Sequence, residues 1–272
     1  MEVKFIKASP TENMTLLIET PVAREKQLAV AERLIAYGSV YAEQAGYIEE
    51  AENPAAEKRL QMMAGEFCGN ASLSLAAWLA QKKNLQIGEK TEITLEVSGA
   101  EELVRCEMKR EAEHRFLGRV AMPLPQTIEK RAFTLDGERI ELTAVVFAGI
   151  THILVPASLW GENAAKKAEH AARVWAKELP PVFGLLLFDE KEKSLKPLVA
   201  VGDVSLIWER GCGSGTSAVG AYLAAREKKD VTVSLKQPGG VMHATVSYQN
   251  GAVTKIEITG SVAIVAEGTA YL

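Results

Sequence analysis

The chain has 272 residues, 47% of them hydrophobic and 24% charged, with a net charge of −4. That is enough apolar material for one large domain or two smaller ones. The absence of a lysine/arginine cluster on the scale of a phosphate-binding surface excludes nucleic acid as a partner.

The opening Met1-Glu2-Val3-Lys4-Phe5-Ile6-Lys7 alternates charged and apolar residues like a strand and lacks the apolar core of a signal peptide. Residues 3–7 and 14–19 read as strands. Residues 23–37 read as an amphipathic helix with Leu28, Ala31, Leu34 and Ile35 on one face. Turn and strand follow over 39–48, then a polar loop over 49–58. A helical pattern after Cys68 continues to about Lys83, followed by strands near 91–97, 102–108 and 116–121. Pro123-Leu124-Pro125 breaks the pattern and marks a domain boundary, giving an N-terminal lobe over 1–123 and a C-terminal lobe over 124–272. Beyond it, strands are expected near 140–147 and 151–155, and a helix over 164–178 that Pro180-Pro181 stops. Strands near 184–188 and 204–208 precede a second helix running from Cys212 to about Lys229. Strands near 231–235, 241–247, 253–259 and 262–266 close the chain, the last returning to the first lobe. No apolar run reaches the length of a membrane span.

The two halves share an order: a Cys-Gly-Asn/Ser turn, a helix, then strands. Cys68 and Cys212 stand 144 positions apart, and both helices end in basic residues that complement the helix dipole. This predicts a degenerate internal duplication, hence an α/β (α+β) fold of two related lobes with a site between them.

Three cysteines, an odd number, make no disulfide framework. A reducing cytoplasm is the simplest setting, so each cysteine needs a reason in packing, metal binding or chemistry. Neither Cys68 nor Cys212 has the Cys-x-x-Cys or nearby histidine partner that zinc requires, and no metal is expected. Glycine after the cysteine lets a ligand approach the backbone, and Asn70 or Ser214 is placed to cap the first turn. First-turn N–H groups suit a carboxylate, and the same positive end favours thiolate over thiol. Two such turns suit a reaction that removes a proton from one face of a carbon and returns one to the other. That chemistry needs one thiolate and one thiol on opposite sides, donors for the charge that develops, and no cofactor.

Phe67-Cys68-Gly69-Asn70-Ala71 and Glu209-Arg210-Gly211-Cys212-Gly213-Ser214-Gly215-Thr216 resemble the paired motifs of the diaminopimelate epimerase superfamily. The likeness extends over nearly the whole chain, taking in Asn13-Met14-Thr15, Glu43-Gln44 and Gln237-Pro238-Gly239-Gly240. It implies two pseudo-symmetric lobes, each a β-barrel around a central helix, with Cys68 and Cys212 as acid/base thiols. It also implies that Gly69, Asn70, Gly213 and Ser214 hold the substrate's α-carboxylate and α-amino groups, and that Asn13 and Gln44 line the pocket. Departures stand beside the likeness: only Gly211 separates Arg210 from Cys212, and Ile150-Thr151-His152 replaces an Asn-Pro-His element. These losses argue against diaminopimelate itself, whose distal charges would be left unpaired. The full pattern looks most similar to the histidine racemases of opine-type metallophore biosynthesis, which makes Glu43 the candidate to meet an imidazole. The resemblance implies an enzyme acting on an amino-acid substrate; charge, cysteine usage and the lack of a membrane-length apolar run set the expectation of a cytoplasmic protein with neither nucleic acid nor membrane as partner, and a homodimer is the assembly considered.

Several residues keep two readings. Glu43 could accept backbone amides in a turn instead, Asn13 could hold a turn, and Glu209 with Arg210 could form a local ion pair rather than touch substrate. His152 reads as site-lining or as an interior hydrogen-bonded histidine, and His243 as strand packing or pocket edge. Cys106 reads as structural, His114 and His170 as surface groups, and Gln237-Pro238-Gly239-Gly240 as a hairpin turn. At the level of function, racemases of other amino acids, a non-catalytic amino-acid-binding protein and a redox sensor remain open alternatives.

Overall fold

Apolar residues at alternate positions make strand the commonest element of this chain. The computed structural model describes residues 1–202 and 205–272. These form a mixed α/β, sheet-rich fold of two compact units, Met1–Ala121 with Thr259–Leu272, and Met122–Ile258.

The first unit contains β1 (Glu2–Pro10), β2 (Thr15–Ile18), α1 (Arg24–Ile35), β3 (Gln44–Glu49), β4 (Lys58–Met62), α2 (Gly69–Lys82), β5 (Lys90–Val97), β6 (Val104–Ala112) and β7 (Arg115–Ala121). The strands are hydrogen-bonded in chain order. β2 and β3 run parallel across α1, and β4 and β5 run parallel across α2. β1 also pairs antiparallel with residues 262–271 of the last strand of the chain, so the ladder returns toward its own start.

The second unit contains β8 (Thr127–Leu135), β9 (Glu138–Phe147), β10 (Ile150–Pro156), α3 (Ala164–Trp175), β11 (Val182–Asp189), β12 (Ser194–Val201), β13 (Ser205–Trp208), α4 (Gly213–Glu227), β14 (Val231–Gln237) and β15 (Gly240–Gln249). It ends with the start of β16 (Ala252–Tyr271). The same connections recur: β10 and β11 run parallel across α3, and β12 and β14 run parallel across α4.

α2 and α4 are the elements that position chemistry. α2 carries no charge before Lys82, and Gly69 through Trp78 are all buried. α4 carries none before Arg226 and buries ten of its fifteen residues. A helix apolar or small on every side is a core helix. Its small residues set the packing distance: a Cβ on Gly220 would lie 2.9 Å from Ala244 Cβ and 2.9 Å from Val246 Cγ2. α3 is amphipathic instead, burying Ala168, Ala171, Ala172 and Trp175.

The structure corrects several expected elements. Leu28 is exposed and Gln27 is buried, because Gln27 bonds Glu49 at 2.8 Å and its carbonyl accepts from Tyr47 at 2.6 Å. β4 and β8 were not expected; each carries charges on its open positions. β12 was hidden by Pro197, since proline argues against a strand interior. The predicted strand 204–208 is β13, apart from residue 204, which lies outside the described residues. The two closing strands are one, β16, continuing through Gly260.

Candidate active site

Each cysteine is itself the N-cap of its core helix. Cys68 and Cys212 have extended backbone angles, φ −135° and −108°, and each sulfur accepts a first-turn N–H: Ala71 at 3.4 Å and Gly215 at 3.2 Å. Four residues on, a hydroxyl bonds the cysteine carbonyl in both units, Ser72 at 2.8 Å and Thr216 at 2.6 Å. The expectation that Asn70 or Ser214 caps the turn is therefore corrected: both lie inside the helices, and sulfur supplies the acceptor that a cap oxygen ordinarily provides.

In the first unit the structure gathers Asn13, Gln44 and Cys68. The Gln44 amide donates to Asn13 Oδ1 at 2.8 Å and to Thr15 Oγ1 at 2.9 Å. With both donors engaged, its Oε1 faces the Cys68 thiol at 3.1 Å. Glu43 precedes Gln44 and bonds Met14 through its backbone N–H at 2.9 Å. Gly69 and Asn70 follow the cysteine as buried first-turn residues.

In the second unit the structure gathers Glu209, Arg210, Cys212, Gly213 and Ser214. Cys212 is 2% exposed. Burial pushes its thiol well above the usual range, and the carboxylate of Glu209, which accepts a hydrogen bond from the thiol, pushes the same way. The Ser214 hydroxyl and the Gly215 N–H pull down against them. Desolvation, with Glu209, thus opposes the pull of the helix start and of the two donors on this sulfur. Arg210 donates to the Pro238 carbonyl at 3.2 Å, tying the cysteine turn to the β14–β15 hairpin.

Two buried groups at this site were named in the sequence without a role beside Cys212, Gln237 as part of a hairpin turn and His152 with two readings. Gln237 accepts the Cys212 N–H at 2.8 Å and donates to Thr216 Oγ1 at 2.7 Å. The alternation of β14 places it on the buried side, and that alternation was the signal available. His152 sits 2.9 Å from Ser214 Oγ through Nε2, resolving its two readings toward an interior hydrogen-bonded histidine beside Cys212. Cys106 is fully buried in β6 away from any helix start, and its thiol is pushed far up by that burial. Among the described residues, no group of three or more His, Cys, Asp or Glu side chains is gathered to hold a metal. No helix of the described residues is long and apolar enough to cross a membrane.

Burial holds the His152 imidazole down to about 3, whereas an unfolded histidine titrates near ~6.5. The folded value is the lower one, so its contribution to stability is complete above pH ~6.5 and is lost as pH falls toward 3, where the unfolded chain takes up a proton that the folded chain refuses. Unfolding free energy should fall by about 1.4 kcal/mol per pH unit in that window, or about 2 kcal/mol by pH ~5. His152→Gln should remove that slope; urea melts at pH ~7 and ~5 showing the same slope in both proteins would contradict a neutral buried ring.

The family described as histidine racemase CntK N-terminal domain matches residues 2–271. A histidine racemase of Fusobacterium nucleatum subsp. nucleatum is 32% identical over 275 residues, covering 98% of this chain and 97% of the relative. One from Staphylococcus aureus is 28% identical over 280 residues, covering 99% and 98%. Among solved structures, a probable proline racemase from Agrobacterium radiobacter with bound carbonate superposes with a TM-score of 0.74 at 16% identity, covering 98% of this chain and 92% of the other. A hydroxyproline epimerase from Agrobacterium vitis gives 0.73 at 14% identity, covering 99% and 91%. A Bacillus anthracis phenazine biosynthesis protein of the PhzF family gives 0.71 at 14%, covering all of both chains. At these identities the structural likenesses concern the fold.

Proposed function

This chain belongs to the histidine racemase family, a family of isomerases, and we propose on that premise that it interconverts L- and D-histidine by a two-base mechanism carried by Cys68 and Cys212. One thiolate takes the Cα proton while the opposing thiol gives its own proton to the other face, so the two sulfurs exchange protonation states in each turnover. The carbanionic charge that develops spreads into the α-carboxylate, which first-turn N–H groups at Gly69-Asn70 and Gly213-Ser214 stabilise. The observation that carries this reading is the matched cap: in both units a cysteine sulfur accepts the N–H three residues on, at the start of a buried helix.

Cys212, held protonated by burial and Glu209, is the resting acid. Asn13 and Gln44 orient Cys68 and line the pocket, and Glu43 meets the substrate imidazole, where a carboxylate is the natural partner of a ring N–H. Arg210 holds the cysteine turn through Pro238. We also read the two units as pseudo-symmetric barrels, each around its core helix; the recurring parallel connections and the return of the first ladder through β1 and β16 support this. Supply of D-histidine to opine-type metallophore synthesis extends the same reading, supported by the motif likeness.

Incubation with L-histidine in D₂O without added cofactor tests the proposal, following circular dichroism and deuterium at Cα. Loss of optical signal with deuterium gain is expected. Exchange with a different amino acid only would move the substrate, and no exchange with any member of a panel would favour an amino-acid-binding protein.

A further inference from the structure

Cys212 is flanked by a polar chain that the proton transfers just described do not use. Its sulfur lies 3.5 Å from Ser214 Oγ, and Ser214 Oγ lies 2.9 Å from Nε2 of His152. Both contacts are within one unit. The other imidazole nitrogen, Nδ1, is buried and has no partner among the described residues. An unpaired buried ring nitrogen lowers stability, so its persistence asks for a compensating role at the other end of the ring.

The strand beside it is shaped around this ring. His152 on β10 stands opposite Gly184 on β11. A Cβ on Gly184 would overlap Nδ1 and lie 2.8 Å from Cε1. Glycine in the middle of the apolar strand Val182–Asp189 weakens that strand, and here it makes the room that lets the imidazole lie against the sheet with Nε2 on Ser214. Phe147, at 6.3 Å between ring centroids, covers another side. The carboxylate facing the cysteine sulfur is that of Glu209.

Ser214 has one hydroxyl proton. If Nε2 were bare, that proton would go to the ring and none would reach sulfur. If Nε2 carries hydrogen, it donates to Ser214 Oγ and the hydroxyl proton is free to point at Cys212 Sγ. The second arrangement also leaves Nδ1 as a bare acceptor rather than a stranded N–H donor.

We propose that His152 is a positioning residue for Cys212 acting through Ser214: its Nε2–H donates to Ser214 Oγ and so turns the serine hydroxyl toward the cysteine sulfur as a donor to the thiolate, with Gly184 providing the space. The ring stays neutral and transfers no proton. Its effect is to supply Cys212 with a second donor, beside the Gly215 N–H, whenever the sulfur is negative, opposing Glu209. This inference rests on the two-thiol reading for its catalytic meaning, while the arrangement of hydrogens can be tested without turnover.

The first measurement is ¹⁵N–¹H long-range correlation of the imidazoles in the wild-type protein, assigned with His152→Gln. The expected result is the Nε2–H tautomer for His152; the Nδ1–H tautomer would overturn the proposal. This readout needs no substrate, so it stands whether or not histidine proves to be the amino acid turned over. The second is a double-mutant cycle on kcat/KM, run on whichever substrate exchanges. Ser214→Ala should lower kcat/KM about tenfold, the loss of one hydrogen bond to a charged group, and His152→Leu should do nearly the same. The double variant should be no worse than the poorer single one. His152→Gln, whose amide can donate to Ser214, should recover most of the rate even if His152→Leu fails to fold. Additive losses, or full activity in folded His152→Leu, would overturn the relay.

Discussion

Cys68→Ser and Cys212→Ser will each remove racemisation, by a factor of about 10² to 10⁴ in kcat, while the variants still bind the amino acid. A positioned acid or base contributes on that scale, and serine does not ionise in the range where a thiol does, so neither proton removal nor return through that position survives. Structure should be little disturbed. Each sulfur caps a helix by accepting one N–H, Ala71 or Gly215, and a serine oxygen is a good cap acceptor. The pair of losses is the informative result. A binding protein on this scaffold would tolerate both changes, and a one-base enzyme would tolerate one. Retained turnover in either variant would falsify the two-base assignment, whereas equal loss with unchanged ligand affinity, measured by calorimetry, would place both sulfurs in the chemical step. Cys106→Ser supplies the contrast: Cys106 is buried in β6, paired between Ile93 and Val120, so any effect there should fall on stability and not on rate.

Gln237→Leu is expected to be the most damaging single change away from the cysteines. Gln237 is buried, and it holds the Cys212 peptide from one side while its amide holds Thr216, whose hydroxyl bonds the Cys212 carbonyl from the other. Leucine fills a similar volume but leaves the Cys212 N–H without its acceptor in a water-poor site. One such unpaired group costs about 1–3 kcal/mol, and thermal or urea unfolding should register a loss of that size. Activity should fall further than binding. The freed turn lets the Cys212 sulfur drift, and small misplacements of a reacting group carry large rate penalties. We therefore expect kcat to fall about tenfold or more with a smaller change in KM. Gln237→Glu keeps the acceptor and adds a charge, so it should be nearer wild type in stability at acidic pH, where the new carboxyl is neutral. Wild-type melting and kcat in Gln237→Leu would show that the cysteine turn holds its own geometry.

The helices that carry the cysteines were legible because their patterns are local. A Cys-Gly turn followed by an uncharged run of alanine, serine and leucine ending in lysine describes α2 from the sequence alone, and the same holds for α4. Strands with clean alternation, such as β5 and β14, were legible for the same reason. β4, β8 and β12 were not, since charge on exposed positions or an internal proline masks the period, and only pairing with neighbours makes them strands. Leu28 and Gln27 show the same limit on a helix: the periodicity of α1 placed leucine inward, but Glu49, Val22 and Tyr47 together offer glutamine enough hydrogen bonds to be buried instead.

Asn13 and Gln44 entered only through the family resemblance; what the sequence by itself determined is the chemistry on offer: two thiols at two helix starts, each followed by glycine and a small polar residue, with Glu209 and Ser214 within three positions of Cys212. Local rules suffice for that, because a helix start, a glycine turn and a core helix are specified within a few residues of chain. What only the tertiary structure decided is the state of those groups. Burial and Glu209 push the Cys212 thiol up against the pull of its helix start, and Gln237, from a hairpin 25 positions away in sequence, holds its backbone. His152 bonds Ser214, 62 positions on, whose hydroxyl lies beside the Cys212 sulfur. Protonation and orientation depend on desolvation and on hydrogen-bond partners brought from distant strands, and no pattern within a short window of sequence contains either.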